Sequence, residues 1–226
     1  MNSTTRRPES AALLAALAHP SPSTRLRAAL AAGTSADPLL LDALLLRCRT
    51  EPDFFVRDML TWAIARLPSA ITLPKLLDEL RIGSVQATSQ ALHTLSKIGD
   101  RRAWLAITPA LLTAAEDGVA RSAWRAAVVL VPEEERGELA AILATELGRG
   151  DRELQLSLTR ALLALGDVVA SVLDGAIADP RPAVRAHALA TERLLQDPDA
   201  GFDPGIREAK GRAAGGPERK ESHADR

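Results

Sequence analysis

The sequence predicts an all-α fold of about six stacked helix pairs, and three observations carry that expectation. First, an apolar residue followed by Arg or Gln opens a helical segment six times. The polar member falls at positions 27, 57, 86, 121, 155 and 185, with intervals of 30, 29, 35, 34 and 30. A recurrence near thirty residues is the period of a two-helix unit. Second, aromatic residues make up only 3% of the 226 and Tyr is absent. Leu and Ala must then fill the core, which argues against a β-sandwich or barrel. Third, the helix breakers fall between the helical segments. Pro20, Pro22, Pro52, Pro68, Pro132, Pro180 and Pro182 stand at junctions, where a missing N–H does least harm. Gly33, Gly83, Gly99, Gly118, Gly150 and Gly166 stand at helix ends, where a left-handed residue closes the last turn.

Each unit reads as a first helix, a turn and a second helix. Residues 1–8 form an N-terminal extension, and the first pair occupies 9–18 and 22–32. The second pair takes 37–49 and 53–67, whose apolar stripe is Val56, Leu60, Ala63, Ile64 and Leu67 at helical spacing. The third takes 70–82 and 84–98, and the fourth 101–116 and 118–131, with Trp124 on its core stripe. The fifth takes 133–148 and 152–165, repeating the stripe as Leu154, Leu158, Ala161, Leu162 and Leu165. The sixth takes 167–178 and 181–196. A lone amphipathic pair cannot bury its apolar face, so stacking of neighbours must supply the cover. The repeat domain therefore spans 9–198. Residues 199–226 carry five Gly, six basic and six acidic residues and almost no large apolar side chain, and are expected to be a disordered tail.

The segment Asp179-Pro-Arg-Pro-Ala-Val-Arg-Ala-His-Ala-Leu resembles a HEAT-type repeat of the kind found in phycobilisome lyases. That motif has an acid at the inter-helix turn and a Val-Arg opening the second helix. Glu51 to Arg57 and Asp179 to Arg185 keep the same acid-to-arginine spacing, while the other units are degenerate. The resemblance covers about residues 9–196 and implies a right-handed α-solenoid of the armadillo-like class. Such solenoids host scaffolds, adaptors, lyases and some DNA-repair enzymes, so the fold alone does not select among them.

Charge narrows the choice. The formal net charge of −1 removes the case for a wholly basic nucleic-acid binder. Sorted by layer, however, the second helices with the turn residue Asp151 carry near +7, and the first helices with the turn residue Asp179 near −7, the latter mostly from Glu133, Glu134, Glu135, Glu138 and Glu146. If the second helices line the concave side, the inner groove is positive and concentrates anionic ligands. Arg27, Arg57, Arg121, Arg125, Arg160 and Arg185 are the candidates to grip an acidic or phosphorylated partner segment. Trp62 would anchor it and Asp58 orient it. A structural alternative makes Arg57 and Arg185 partners of the turn acids. Arg121 and Arg125 have no such motif partner, and their like charges four residues apart repel.

Signatures of catalysis are missing: there is no phosphate loop, nucleophile elbow or His-Glu-x-x-His. The one cysteine, Cys48, lies among leucines and reads as a buried thiol, which excludes an internal disulfide. The histidines are too dispersed for a local ligand pair, so no metal or cofactor is expected. His187 reads as a surface or capping residue, and His93 as lying near a core stripe. Asp58 and Trp62, four apart on one helix, look a little like the concave site of HEAT-like alkylpurine DNA glycosylases. There a carboxylate and an indole would steady a cationic lesion. The expectation is thus a non-enzymatic scaffold for an acidic protein partner. The alternatives are a DNA-binding or base-excising protein and a lyase-like maturation factor. The Ala11–Ala18 run is at the lower limit of length for a secretory signal and Glu9 interrupts the approach to it, while Leu39–Leu46 is too short for a bilayer span, so the cytoplasm is the expected compartment.

Overall fold

In the computed structural model the described residues are 3–82, 84–199 and 201–202, and they contain helices and no strand. The chain divides into two compact units, residues 1–143 and 144–226. The first holds α1 (Ser3–Leu17), α2 (Pro22–Ser35), α3 (Leu41–Cys48), α4 (Phe54–Ala65), α5 (Ser69–Ile82), α6 (Val85–Ile98), α7 (Pro109–Leu112) and α8 (Asp117–Leu130). It also holds nearly all of α9 (Arg136–Ala144). The second holds α10 (Arg152–Leu163), α11 (Val169–Ile177) and α12 (Pro182–Gln196). Within the first unit α1 packs on α2, α3 on α4, α5 on α6 and α7 on α8, and the second helices follow one another as α2, α4, α6 and α8. In the second unit α12 packs against both α10 and α11.

Turn chemistry places the helix starts. Asp53 accepts from the Val56 N–H at 3.0 Å, Asp151 from Leu154 at 2.9 Å and Ser84 from Ala87 at 3.4 Å. Each satisfies one of the orphan donors of a first turn. The expected stripes are buried as read: Val56, Leu60, Ala63, Ile64 and Leu67 in one pair, and Leu154, Leu158, Ala161, Leu162 and Leu165 in another. Trp124 joins them and donates its indole N–H to the Leu112 carbonyl at 2.8 Å.

Several boundaries differ from expectation. The opening helix begins at Ser3, so the extension assigned to 1–8 is helical from residue 3. The single helix expected over 101–116 is instead a 3-10 segment, Arg101–Ala106, followed by the short α7. Pro109 brings no N–H, and its ring holds Thr108 extended at φ −83, ψ 156. Gly33 does not end α2 but lies inside it. A Cβ there would meet the Trp62 ring at 2.2 Å and the Ala63 backbone at 2.9 Å. The glycine is present because the Trp62 indole needs its space. Gly33→Ala is expected to lower stability by about 1–3 kcal/mol through overpacking, read as a shift of the urea midpoint at unchanged slope. One residue of the expected tail packs on the second unit. Phe202 is buried, its ring 5.8 Å from that of His187, and its carbonyl accepts from Arg152 Nη2 at 2.9 Å. The rest of the expected tail, 203–226, and Gly83 lie outside the described residues.

Neighbouring second helices are also joined by buried polar relays. Gln90 Nε2 donates to Thr61 Oγ1 at 2.6 Å, Thr61 and Thr94 hydroxyls meet at 3.3 Å, and Thr94 donates to the Gln90 carbonyl at 2.8 Å. The second unit repeats the device with a histidine. His187 Nε2 lies 3.0 Å from Thr159 Oγ1, the Thr159 and Thr191 hydroxyls lie 2.9 Å apart, and Thr191 donates to the His187 carbonyl at 3.0 Å. The Gly148 N–H donates to His187 Nδ1 at 3.0 Å, so the ring is neutral with its proton on Nε2. His187 is therefore a core residue rather than the surface or capping one the sequence suggested. No single helix among the described residues is long and apolar enough to cross a membrane.

Candidate functional site

The opening turns of α4, α6 and α8 enclose a cleft of about 380 Å³. From α4 come Phe54, Arg57 and Asp58; from α6, Ser89, Gln90 and His93; from α8, Gly118, Arg121, Ser122 and Arg125. Each set is spaced three and four residues apart, which puts its members on one face of their helix. The faces are fixed by what they leave behind: Val56 and Leu60, Ala87 and Ala91, Ala120 and Trp124 point into the core.

Arg57 is held at the mouth. Its Nη1 donates to the carbonyls of Glu51 at 3.0 Å and Pro52 at 2.7 Å, and its guanidinium stands 6.0 Å from the Phe54 ring centre. The same clasp recurs at Arg185, on the carbonyls of Asp179 and Pro180, both at 2.8 Å. It recurs again at Arg25, on His19 at 2.9 Å and Pro20 at 2.6 Å. In all three a proline stands five residues before the arginine. The first pair is thus in register at Arg25, two residues before the Arg27 that the Leu26-Arg27 pattern selects. The turn acids have other partners: Glu51 pairs with Arg25 and Arg47, each at 2.7 Å, and Asp179 with Arg181 at 2.9 Å. Arg57 and Arg185 therefore bond turn carbonyls, which replaces the acid–arginine ladder as their structural role.

Deeper in the cleft, Arg121 Nε is buried and has no hydrogen-bond partner among the described residues. A buried donor without an acceptor costs free energy. Arg125 Nη1 donates to His93 Nδ1 at 3.0 Å, because a guanidinium has no acceptor to offer. The remaining imidazole proton then sits on Nε2, 3.8 Å from Asp58 Oδ1. Burial, together with the positive charges of Arg125 and Lys97, pushes the His93 pKa below its ordinary value against the pull of Asp58. Three guanidiniums accordingly face one carboxylate and a neutral ring. Ser89 donates to the Gly118 carbonyl at 3.1 Å and meets the Ser122 hydroxyl at 2.9 Å, which draws α6 and α8 together along the floor.

Of the eight residues singled out from sequence, Arg57, Asp58, Arg121 and Arg125 come together here. Trp62 does not. Its ring packs on Gly33 beneath the Arg66 guanidinium, 5.7 Å away, so carboxylate and indole do not share a cleft. Arg27 is exposed on α2 and lies outside the lining, while Arg160 and Arg185 belong to the second unit. His93, Gln90, Ser89, Ser122 and Phe54 complete the site without having been assigned to it. The signal for them was an offset of about one repeat, 32 residues from His93 to Arg125 and 33 from Ser89 to Ser122. Cys48 is buried, and that burial pushes its thiol up to about 12, which keeps it protonated and inert. Among the described residues no group of three or more His, Cys, Asp or Glu is placed to hold a metal ion.

These features define a class: an all-α protein of paired helices with an arginine-lined cleft across three successive second helices. The sequence matches no protein-family model and no curated protein.

Proposed function

We propose that the chain is a HEAT-like helical-repeat scaffold, wound as a right-handed solenoid, that holds an acidic or phosphorylated segment of a protein partner in the α4–α6–α8 cleft. The observation that carries this reading is that Arg57, Arg121 and Arg125 line one cleft against a single carboxylate, Asp58. Guanidinium groups bind carboxylate and phosphate through charge-assisted hydrogen bonds, and a lined concavity strengthens that attraction. Phe54, exposed at the rim, offers an apolar contact to residues beside the anion. A binding role rather than catalysis is supported by His93: the lone pair that a general base would use is already taken by Arg125. The recurring Pro-x-x-x-x-Arg clasp and the Thr-centred relays support the repeat assignment.

The test is a peptide array of matched phosphorylated, Glu-substituted and neutral segments, followed by fluorescence anisotropy on the best binders. Anionic peptides are expected to be preferred, with affinity falling as salt rises. Arg121→Ala combined with Arg125→Ala is expected to weaken binding at least about tenfold at unchanged helicity and melting temperature. Equal binding of neutral peptides, or undiminished binding by the double variant, rejects the reading.

A further inference from the structure

The interruption of the fourth first-helix has a second consequence, which does not depend on the cleft. The chain between the 3-10 segment and α7 stands away from α9, and a pocket of about 230 Å³ opens between them. Leu112 and Leu139 form part of its apolar floor, Trp104 and Leu105 part of its wall, and Glu135 and Glu138 lie on its rim. The Trp104 indole N–H donates to Glu135 Oε2 at 2.8 Å, so wall and carboxylate are fixed relative to each other. Leu105 is 90% exposed, an apolar side chain standing in water at the mouth of an apolar pocket. Glu134 follows the same turn and is exposed, while Glu133 is paired with Arg136 at 3.1 Å. The volume lies below the roughly 300 Å³ at which pockets for drug-sized ligands begin, and suits a single large side chain.

We infer that this pocket is a second docking site, for a short basic segment of a partner protein. The segment inserts one large apolar residue against Trp104 and Leu105 and sets flanking Lys or Arg against Glu135 and Glu138. Charge complementarity selects the occupant: the rim is acidic, unlike the arginine-lined cleft, so an acidic segment is repelled here and a basic one drawn in. An apolar anchor in a small pocket ringed by charge is the usual layout of an interface hot spot.

The experiment is selection of a displayed random dodecapeptide library on the full chain, with counter-selection on two variants. Enriched peptides are expected to carry one Leu, Met, Phe or Trp flanked by Lys or Arg. They are expected to lose about tenfold or more in affinity on Leu105→Asp, and as much on Glu138→Lys. Both side chains are exposed, so neither change threatens folding. The Arg121→Ala, Arg125→Ala chain should bind these peptides as the parent does. Enrichment of peptides without basic residues, retention by both rim variants, loss on the cleft variant, or no enrichment at all overturns the assignment.

Discussion

Glu51→Ala is expected to lower the stability of the first unit by about 3–5 kcal/mol, the usual cost of stripping one partner from a buried ion pair. Glu51 is fully buried at the turn between α3 and α4. Arg25 from α2 grips both carboxylate oxygens at 2.7 Å, Arg47 adds a third bond at 2.7 Å, and the Asp53 N–H a fourth at 2.9 Å. The Glu51 carbonyl also receives Arg57 and, at 2.9 Å, Gln86 Nε2 from α6. Removing the carboxylate leaves the Arg25 charge buried with two carbonyls only. The exposed Asp78–Arg81 pair makes the control: Asp78→Ala should change stability by no more than about 0.5 kcal/mol. Chemical denaturation of both variants decides the matter, and equal small effects would refute the buried-pair account. Burial alone pushes the Glu51 pKa up, but the Arg25, Asp53 and Arg47 hydrogen bonds overcome it and hold the group at about 2. Its contribution is therefore complete above the unfolded value of 4.5 and is lost as pH falls through about 2.

His187→Leu is expected to cost the second unit about 3 kcal/mol, because it strands the Gly148 N–H and breaks the bond to Thr159 in a dry interior. His187→Gln should recover most of that loss, since the first unit already runs the same relay through Gln90. The parent chain adds a pH signature. Burial lowers the His187 pKa to about 4, below the 6.5 of a free imidazole, so the unfolded state binds the proton more readily. Stability is full above pH 6.5, declines as pH falls toward 4, and levels off below, for about 3 kcal/mol in all. The Gln variant should lack that decline. Identical pH profiles for parent and Gln variant would show that His187 is not the titrating group.

The helices were legible because their apolar stripes recur at fixed spacing, and burial enforces that spacing. Arg121 and Arg125 were legible because like charges four residues apart ask for an explanation. The register of the first repeat was not, because Leu26-Arg27 imitates Val56-Arg57 while the acting residue, Arg25, follows Thr24. Arg25 is defined by the proline five places before it, a backbone requirement that apolar patterning does not record. Trp62 was only half legible: an indole off the core stripe is exposed as the spacing implies, at 39%, and only the neighbouring helix shows the glycine cut away beneath its other side. Leu105 and Glu135 stayed hidden because an unbroken helix over 101–116 would have had no pocket to frame.

The Thr-centred relays bear on how such a chain grows. Gln90 and His187 hold the same station in different repeats, each reaching back 29 or 28 residues to a waiting threonine. A duplicated hairpin that carries both halves of this lock arrives with a ready-made joint. One that carries neither must slide along its neighbour until apolar contacts alone set the phase. A single residue inserted between Thr61 and Gln90 should therefore break the joint, because it swings the partner about 100° around the helix axis.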